Sequence, residues 1–403
     1  MRKHLLLLIG LLLLGAGRVP AQQTPVLDTT SFVVLGEGLA AGLADFALRE
    51  VYQENSFPAV MARQMKTAFP QPLIQAPGIG GVPGFPQLPV TAPNVGQTTV
   101  RLPFPPSLFV FNLAVPGHRL TDAINLRPRP PLVQSANPKQ TITNMLLGYP
   151  AMILGPDKPL WTQLEYAVAM NPTLALVELG YAEALEAAVN GNPNLMPELA
   201  VFRADYSKVL APLRANYAQV ITTTIPDPFD TAYFSTLAAA AQLTRVPAGT
   251  LASRYGLRDG DLLTPNALAA IGVQASTLPE RSVLSSAAAA LVSREVRTLN
   301  AEIASLSQQQ GAILYDLNGL FARVRAAGLT VGNQRLTADY LGGFYSLSGS
   351  YPGLTGQALI ANEILTLLNQ RFGTSFSLVD LTKVAPGDPA VRFRPATLEG
   401  ETQ

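Results

Sequence analysis

The sequence predicts an α/β fold, three layers of α/β/α around a five-stranded parallel sheet, and three observations predict it. Five short runs are apolar and rich in β-branched residues: SFVVLG (31–36), LFVFNLAV (108–115), TLALVELG (173–180), QVITTTIP (219–226) and AILYDL (312–317). A strand covered on both faces reads as such a run, whereas a half-exposed antiparallel strand alternates. Helical patterns fill most of the spaces between the runs, as crossover helices do in a parallel sheet. Each of the first three runs leads into a glycine turn, at Gly36, Gly117 and Gly180.

From the N-terminus, Arg2 and Lys3 precede the apolar run LLLLIGLLLL (5–14), and VPA (19–21) places small residues where a signal peptidase reads. Residues 1–21 are expected to be a signal peptide and 22–403 the exported domain, in a bacterial periplasm, associated with the outer membrane, or outside the cell. No later stretch reaches the roughly 20 apolar residues of a membrane helix. The first strand run enters the turn Glu37-Gly38 and then a helical pattern over 40–53. Residues 69–106 carry proline and glycine throughout (PQPLIQAPGIGGVPGFPQLP). Such a segment cannot donate regularly to a ladder, so it is expected to run over the surface as an insertion. Helical patterns follow over 161–170 and 198–216. A cap-like insertion over 230–280 holds the short pieces FSTLAAAAQL and PNALAAIG. The alanine-rich pattern over 285–310 precedes the fifth run, and another over 355–371 follows it.

Composition bounds the chemistry. The chain has no cysteine, so it folds without disulfides and has no lipid-attachment thiol. Loss of residues 1–21 removes Arg2, Lys3 and Arg18 from 28 basic residues, leaving 25 against 27 acidic ones. No basic stripe is present to hold a nucleic acid. With 48% hydrophobic and 14% charged residues, the chain buries a large core.

Four blocks in order give the chain a family resemblance. GEGL (36–39), NLAVPGHRLTD (112–122), ELGYAEAL (178–185) and YSLSGSYPGLTGQALIANEIL (345–365) resemble the four motif blocks of the SGNH, or GDSL, hydrolases, which are esterases and lipases on a flavodoxin-like sheet. The segment IPDPFDTAYF (225–234) also fits their framework. The resemblance implies a flavodoxin-like strand order and an ester-hydrolase ancestry. Block by block, the nucleophilic serine falls on Gly38, the oxyanion glycine on Gly117 and the oxyanion asparagine on Ala182. The triad aspartate falls on Ser348 and the triad histidine on Tyr351. Of these only Gly117 matches, while acidity is kept beside two of the gaps, at Glu37 and Glu183.

Serine-based acyl transfer needs a base within hydrogen-bond reach and a group to orient it. Of the two histidines, His4 lies in the signal segment, so His118 is the one imidazole of residues 22–403. Three functions remain open. The chain is a degenerate hydrolase that binds a small molecule (a lipid, an ester or a carbohydrate) or a partner through the former cleft or the proline-rich excursion. It is instead an active ester or glycoside hydrolase using Glu37, Glu183 and His118, a set that could also hold a metal ion. Or it is an envelope interaction protein with a closed cleft. The first reading is adopted, with no cofactor and no metal. Tyr181 and Tyr351 are expected to fill cleft space rather than stack on a ligand, and the serines at 346, 348 and 350 are read as turn residues.

N-terminal sequencing of protein recovered from the cell envelope or medium is expected to begin at Gln22. A chain that keeps Met1 and stays in the cytosol would remove the export reading.

Overall fold

The computed structural model describes residues 26–79, 99–102, 109–155, 157–216, 218–392 and 394. The expected signal peptide and most of the 69–106 insertion lie outside the described residues. Among the described residues no helix is long and apolar enough to cross a membrane.

Four parallel strands, β1 (Phe32–Gly36), β2 (Leu174–Glu178), β3 (Gln219–Thr223) and β4 (Ile313–Tyr315), form the sheet in that spatial order. The register pairs Gly36 with Glu178, Leu174 with Gln219 and Ile221 with Ile313. Every residue of β1 and β2 is buried, which is why both read as unbroken apolar runs.

The expected fifth strand, second in the chain, is not a regular strand. It lies along the free side of β1 but makes a single parallel bridge, Val34 to Asn112. Val34 donates to Phe111 O (2.9 Å), Leu113 to Val34 O (2.9 Å) and Val115 to Gly36 O (3.1 Å). The Gly36 N–H is missing from this ladder because Gln163 Oε1 takes it at 3.0 Å. Asn112 also turns its side chain onto the local backbone, accepting from Ala114 N (3.2 Å) and donating to Ala40 O (3.0 Å). A side-chain amide has replaced a strand's carbonyl.

With that segment included, the five runs lie in the order second, first, third, fourth, fifth. This is the doubly wound, flavodoxin-like order. Right-handed crossovers then put the helix between the first two runs on one face and the later crossover helices on the other. The elements used below are α1 (Gly38–Ala41), α2 (Phe57–Met65), α3 (Leu120–Asn125), α4 (Gln163–Ala169), α5 (Tyr181–Val189), α6 (Leu199–Ala215), α7 (Ser286–Gln310) and α8 (Leu354–Phe372). Helices α6 and α7 pack together, with α3, α4 and α5 beside them, while α2 packs on α8. The connections reverse direction between β1 and β2, so the carboxyl ends of these two strands form the crevice where doubly wound sheets carry their sites.

The helical pattern over 40–53 breaks into α1 and a single turn at Glu50–Gln53. Gly42 ends α1 at φ +83°, and a Cβ there would stand 2.6 Å from the Tyr52 carbonyl oxygen. The chain must double back at that point, and only glycine lets the two backbones approach so closely. Within 230–280, two two-residue strands (Ser235–Thr236, Leu262–Leu263) and helices Leu237–Thr244, Ala248–Tyr255 and Pro265–Gly272 surround a small core of Leu251, Leu263, Leu268 and Ile271, and a third short strand just beyond it, Val283–Leu284, completes the small sheet.

Gly180, just after β2, has φ +110°, and a Cβ on it would lie 2.5 Å from Ile225 Cδ1. Gly180→Ala is expected to cost about 1–3 kcal/mol of stability through backbone strain and overpacking. Urea unfolding with an unchanged slope checks this.

Candidate functional site

β1 delivers Glu37 and Gly38 to the crevice. Glu37 caps α1, its Oε1 accepting from the Leu39 N–H at 2.7 Å. Tyr351, from the loop before α8, donates its phenol O–H to Glu37 Oε2 at 3.1 Å. Its ring lies against Gly38: a Cβ on Gly38 would stand 3.0 Å from the Tyr351 phenol oxygen and 3.1 Å from both Tyr351 Cε1 and Leu43 Cδ2. The space a nucleophile's side chain would occupy is filled. Tyr181 meets Tyr351 edge to face, ring centres 5.8 Å apart, and donates to the Ser350 carbonyl at 2.8 Å. Glu37, Tyr181, Ser348, Ser350 and Tyr351 are all buried.

Beneath Glu37 sits a second buried acid, Glu178 at the end of β2. Its Oε2 accepts from the Glu37 and Ala40 amides, each at 3.2 Å. Burial pushes the Glu37 carboxyl up to about 7. Burial, and then the charge of Glu37, hold Glu178 well above the usual carboxylate range. Tyr351 is held well above its ordinary value by burial and by Glu37, so its phenol is no base.

His118 belongs to a different set of contacts. It is fully buried, with Gln163 Nε2 donating to Nδ1 at 2.9 Å and Nε2 lying 2.7 Å from Thr143 Oγ1. The Thr143 hydroxyl spends its one proton on the Lys139 carbonyl (2.8 Å), which assigns the donor role to His118 Nε2–H. Burial lowers this imidazole to about 3, and the charged groups acting on it are Asp122 and Lys139. His118 is neutral and committed at both nitrogens. Gln163 also donates to Gly36 O at 3.1 Å, so one side chain clasps both polar groups of Gly36 and the imidazole.

Glu183 forms a third set. Its Oε1 accepts from the Leu120 N–H at 2.7 Å, at the start of α3, and burial pushes its carboxyl up to about 7. Glu37, Glu183 and His118 therefore hold separate partners, and no cluster of three such side chains able to hold a metal ion occurs among the described residues. Ala182 lies in the first turn of α5 and is buried. Gly117 is exposed at φ +74°, with open space where a Cβ would be.

The serine loop is held by hydrogen bonds at Ser346 and Ser348, while the buried Ser350 Oγ has no partner. Ser348 Oγ lies 3.1 Å from Ser346 Oγ, which accepts from the Asp45 N–H at 2.9 Å. Asp45 in turn accepts from the Leu347 amide at 3.1 Å, from Arg49, and from the Tyr52 phenol. Asp388 reaches back to cap α8, accepting from the Thr355 N–H at 2.7 Å.

Sequence reasoning missed Glu178, Gln163, Thr143, Asp45 and Asp388. Glu178 left a signal, since an acid closing an otherwise apolar strand must be accommodated in the core. Gln163 left none, because its partners lie 127 and 45 residues away.

No protein-family model matches the chain, and a search of curated proteins returns no relative. Two solved structures are similar to it. An extracellular lipase from Streptomyces rimosus shares 14% identity over 85% of this chain and 99% of the lipase, with a TM-score of 0.39. Phospholipase A1 from Streptomyces albidoflavus NA297 shares 12% over 85% of this chain and 100% of that one, with a TM-score of 0.35. The fold assignment rests on strand order. This chain is a doubly wound α/β protein.

The raised carboxyls of Glu37, Glu178 and Glu183 bind protons more tightly folded than unfolded. The stabilisation from Glu37 and Glu183 is full below the ordinary value of 4.5 and is lost as pH rises through about 7, and Glu178, held well above its ordinary value, acts in the same direction. His118 acts in the opposite sense, its contribution being full above 6.5 and lost as pH falls towards 3. Three carboxyls outweigh one imidazole, so the urea midpoint is expected to fall between about pH 5.5 and pH 8, with Glu37→Gln flattening the slope. The His118 ring signals in NMR are expected to stay flat over the same range.

Proposed function

We propose that the chain is an exported, catalytically degenerate relative of the SGNH hydrolases, which acts by binding a small ligand at the edge of the former cleft. The observation that carries this is the Tyr351 phenol seated on Gly38 and bonded to Glu37. A tyrosine replaces the base, a glycine replaces the nucleophile, and the one remaining imidazole is turned into the fold.

Magnitudes favour no turnover over slow turnover. Loss of the triad costs on the order of a million-fold, and loss of an oxyanion donor, here at Ala182, about a further 100- to 1,000-fold. A fluorophosphonate probe is expected to leave every serine of the folded protein unlabelled. Stoichiometric labelling of the 346–350 loop would overturn the reading.

Gly38→Ser alone is expected to destabilise by about 1–3 kcal/mol, because the new side chain meets the Tyr351 ring, and to gain no activity. Gly38→Ser with Ala182→Asn, Ser348→Asp and Tyr351→His removes that ring and supplies the set together. This fourfold variant is expected to raise p-nitrophenyl ester hydrolysis above the parent. A variant that melts like the parent and stays inactive would show that the block assignment is wrong.

A further inference from the structure

The sheet has an open edge at β4, which pairs with β3 on one side and, among the described residues, with no strand on the other. Thr224 N donates to Tyr315 O at 3.1 Å, which fixes the phase of the ladder. Ile313 and Tyr315 turn their backbone groups to β3, so the N–H and C=O of Leu314 point outward. Among the described residues those two groups have no partner. The Leu314 side chain shares the face of its ladder partner Thr222, whose hydroxyl lies 2.8 Å from Ser307 Oγ on α7. What Leu314 offers along the edge is therefore its backbone.

An open groove of about 440 Å³ runs beside this edge, between β4, α8 and helix Leu317–Ala327. Glu363, Leu367 and Gln370 of α8 form its far wall. Arg323 donates to both Glu363 oxygens (2.8 Å each) and the Tyr315 phenol to one of them (2.9 Å), so that carboxylate is neutralised within the wall. Asp316, at the end of the edge, is exposed. Its Oδ1 accepts from Gly319 N (3.0 Å) and Thr224 Oγ1 (2.9 Å), and among the described residues no cation is paired with it. The charge left over in the groove is negative.

We propose that β4 is a docking edge for an extended, basic peptide segment of another protein, which adds to the sheet as a strand. The peptide residue opposite Leu314 donates its N–H to Leu314 O and accepts from Leu314 N, and a lysine or arginine beside it reaches Asp316. Three residues at about 3.3 Å each make an edge about 10 Å long. At about 30 Å³ per non-hydrogen atom, the groove takes roughly 15 such atoms, about two peptide residues. Contact on that scale falls well short of the ~1,200 Å² that a stable dimer buries, which favours a peptide over a second copy of the chain. The edge shares no side chain with the crevice between β1 and β2, and it does not rest on the degenerate-hydrolase reading.

Calorimetry on the whole chain tests this with three probes: Ac-Val-Lys-Val-Lys-Val-NH2, the same peptide N-methylated at every residue, and Ac-Val-Glu-Val-Glu-Val-NH2. The basic peptide is expected to bind saturably and about tenfold tighter than the acidic one, and the N-methylated peptide, which has no backbone donor, is expected not to bind. Asp316→Asn keeps a side-chain oxygen for the Gly319 amide and removes the charge, so it is expected to weaken the basic peptide about threefold without unfolding the protein. Gln370 is exposed where it lines the groove, so Gln370→Trp is expected to block binding while leaving the melting temperature unchanged. No saturable binding of the basic peptide, equal binding of the acidic or N-methylated one, or undiminished binding by Gln370→Trp would each overturn the site. A chain that sediments as a dimer and becomes a monomer on Gln370→Trp would give the edge to a second copy and overturn the peptide site as well.

Discussion

The hydrogen bond from Tyr351 to Glu37 joins residues 314 positions apart at the crevice between β1 and β2, and the organisation of the site follows from it. It holds the last loop over the first turn. It fixes the phenol ring where a Cβ on Gly38 would need to be, and it gives one oxygen of a fully buried carboxyl a donor. Without that donor, the Glu37 carboxyl would carry an unmet acceptor, which costs roughly 1–3 kcal/mol in a protein interior. The Tyr351 phenol thus makes the Glu37 carboxyl a bonded part of the core.

Polar groups at this crevice are met by other protein groups, and that pattern distinguishes a core from an open site. Gln163 satisfies Gly36 and His118 together. Glu178 accepts two amides of the first turn, and Asp388 caps the final helix from the chain's far end. In a catalytic crevice, the corresponding donors and acceptors face the substrate. Glu183 Oε2, Ser350 Oγ and Thr355 Oγ1 are exceptions, buried without a partner. On the Gly38 side the Glu37 carboxyl is bonded to a phenol, while an unmet acceptor lies on the Ala182 side.

Much of this was legible along the chain, because burial on both faces leaves a direct trace in composition. β1, β2, β3 and β4 coincide with runs that read as strands, and α6, α7 and α8 with patterns of helical period. The residue types at the expected block positions, Gly38, Ala182, Ser348 and Tyr351, were also visible. Less legible were the break after α1, where Gly42 brings backbone against backbone, and the second run, whose ladder is interrupted by a side chain from α4. Local propensity carries no information about a glutamine that arrives from 127 residues away.

The sequence by itself determined the order of strands and helices, the single imidazole of residues 22–403 and the residue types that stand at the expected reactive positions. Those are properties of composition and period. Tertiary structure alone decided what these residues do. It turned His118 into the fold, set Tyr181 edge to face with Tyr351, placed Glu178 under Glu37 and left one Glu183 oxygen unbonded. The reason is physical: whether a carboxyl or an imidazole is a reagent or a strut depends on the donors, acceptors and solvent that surround it. At this crevice those neighbours come from chain segments far apart in sequence.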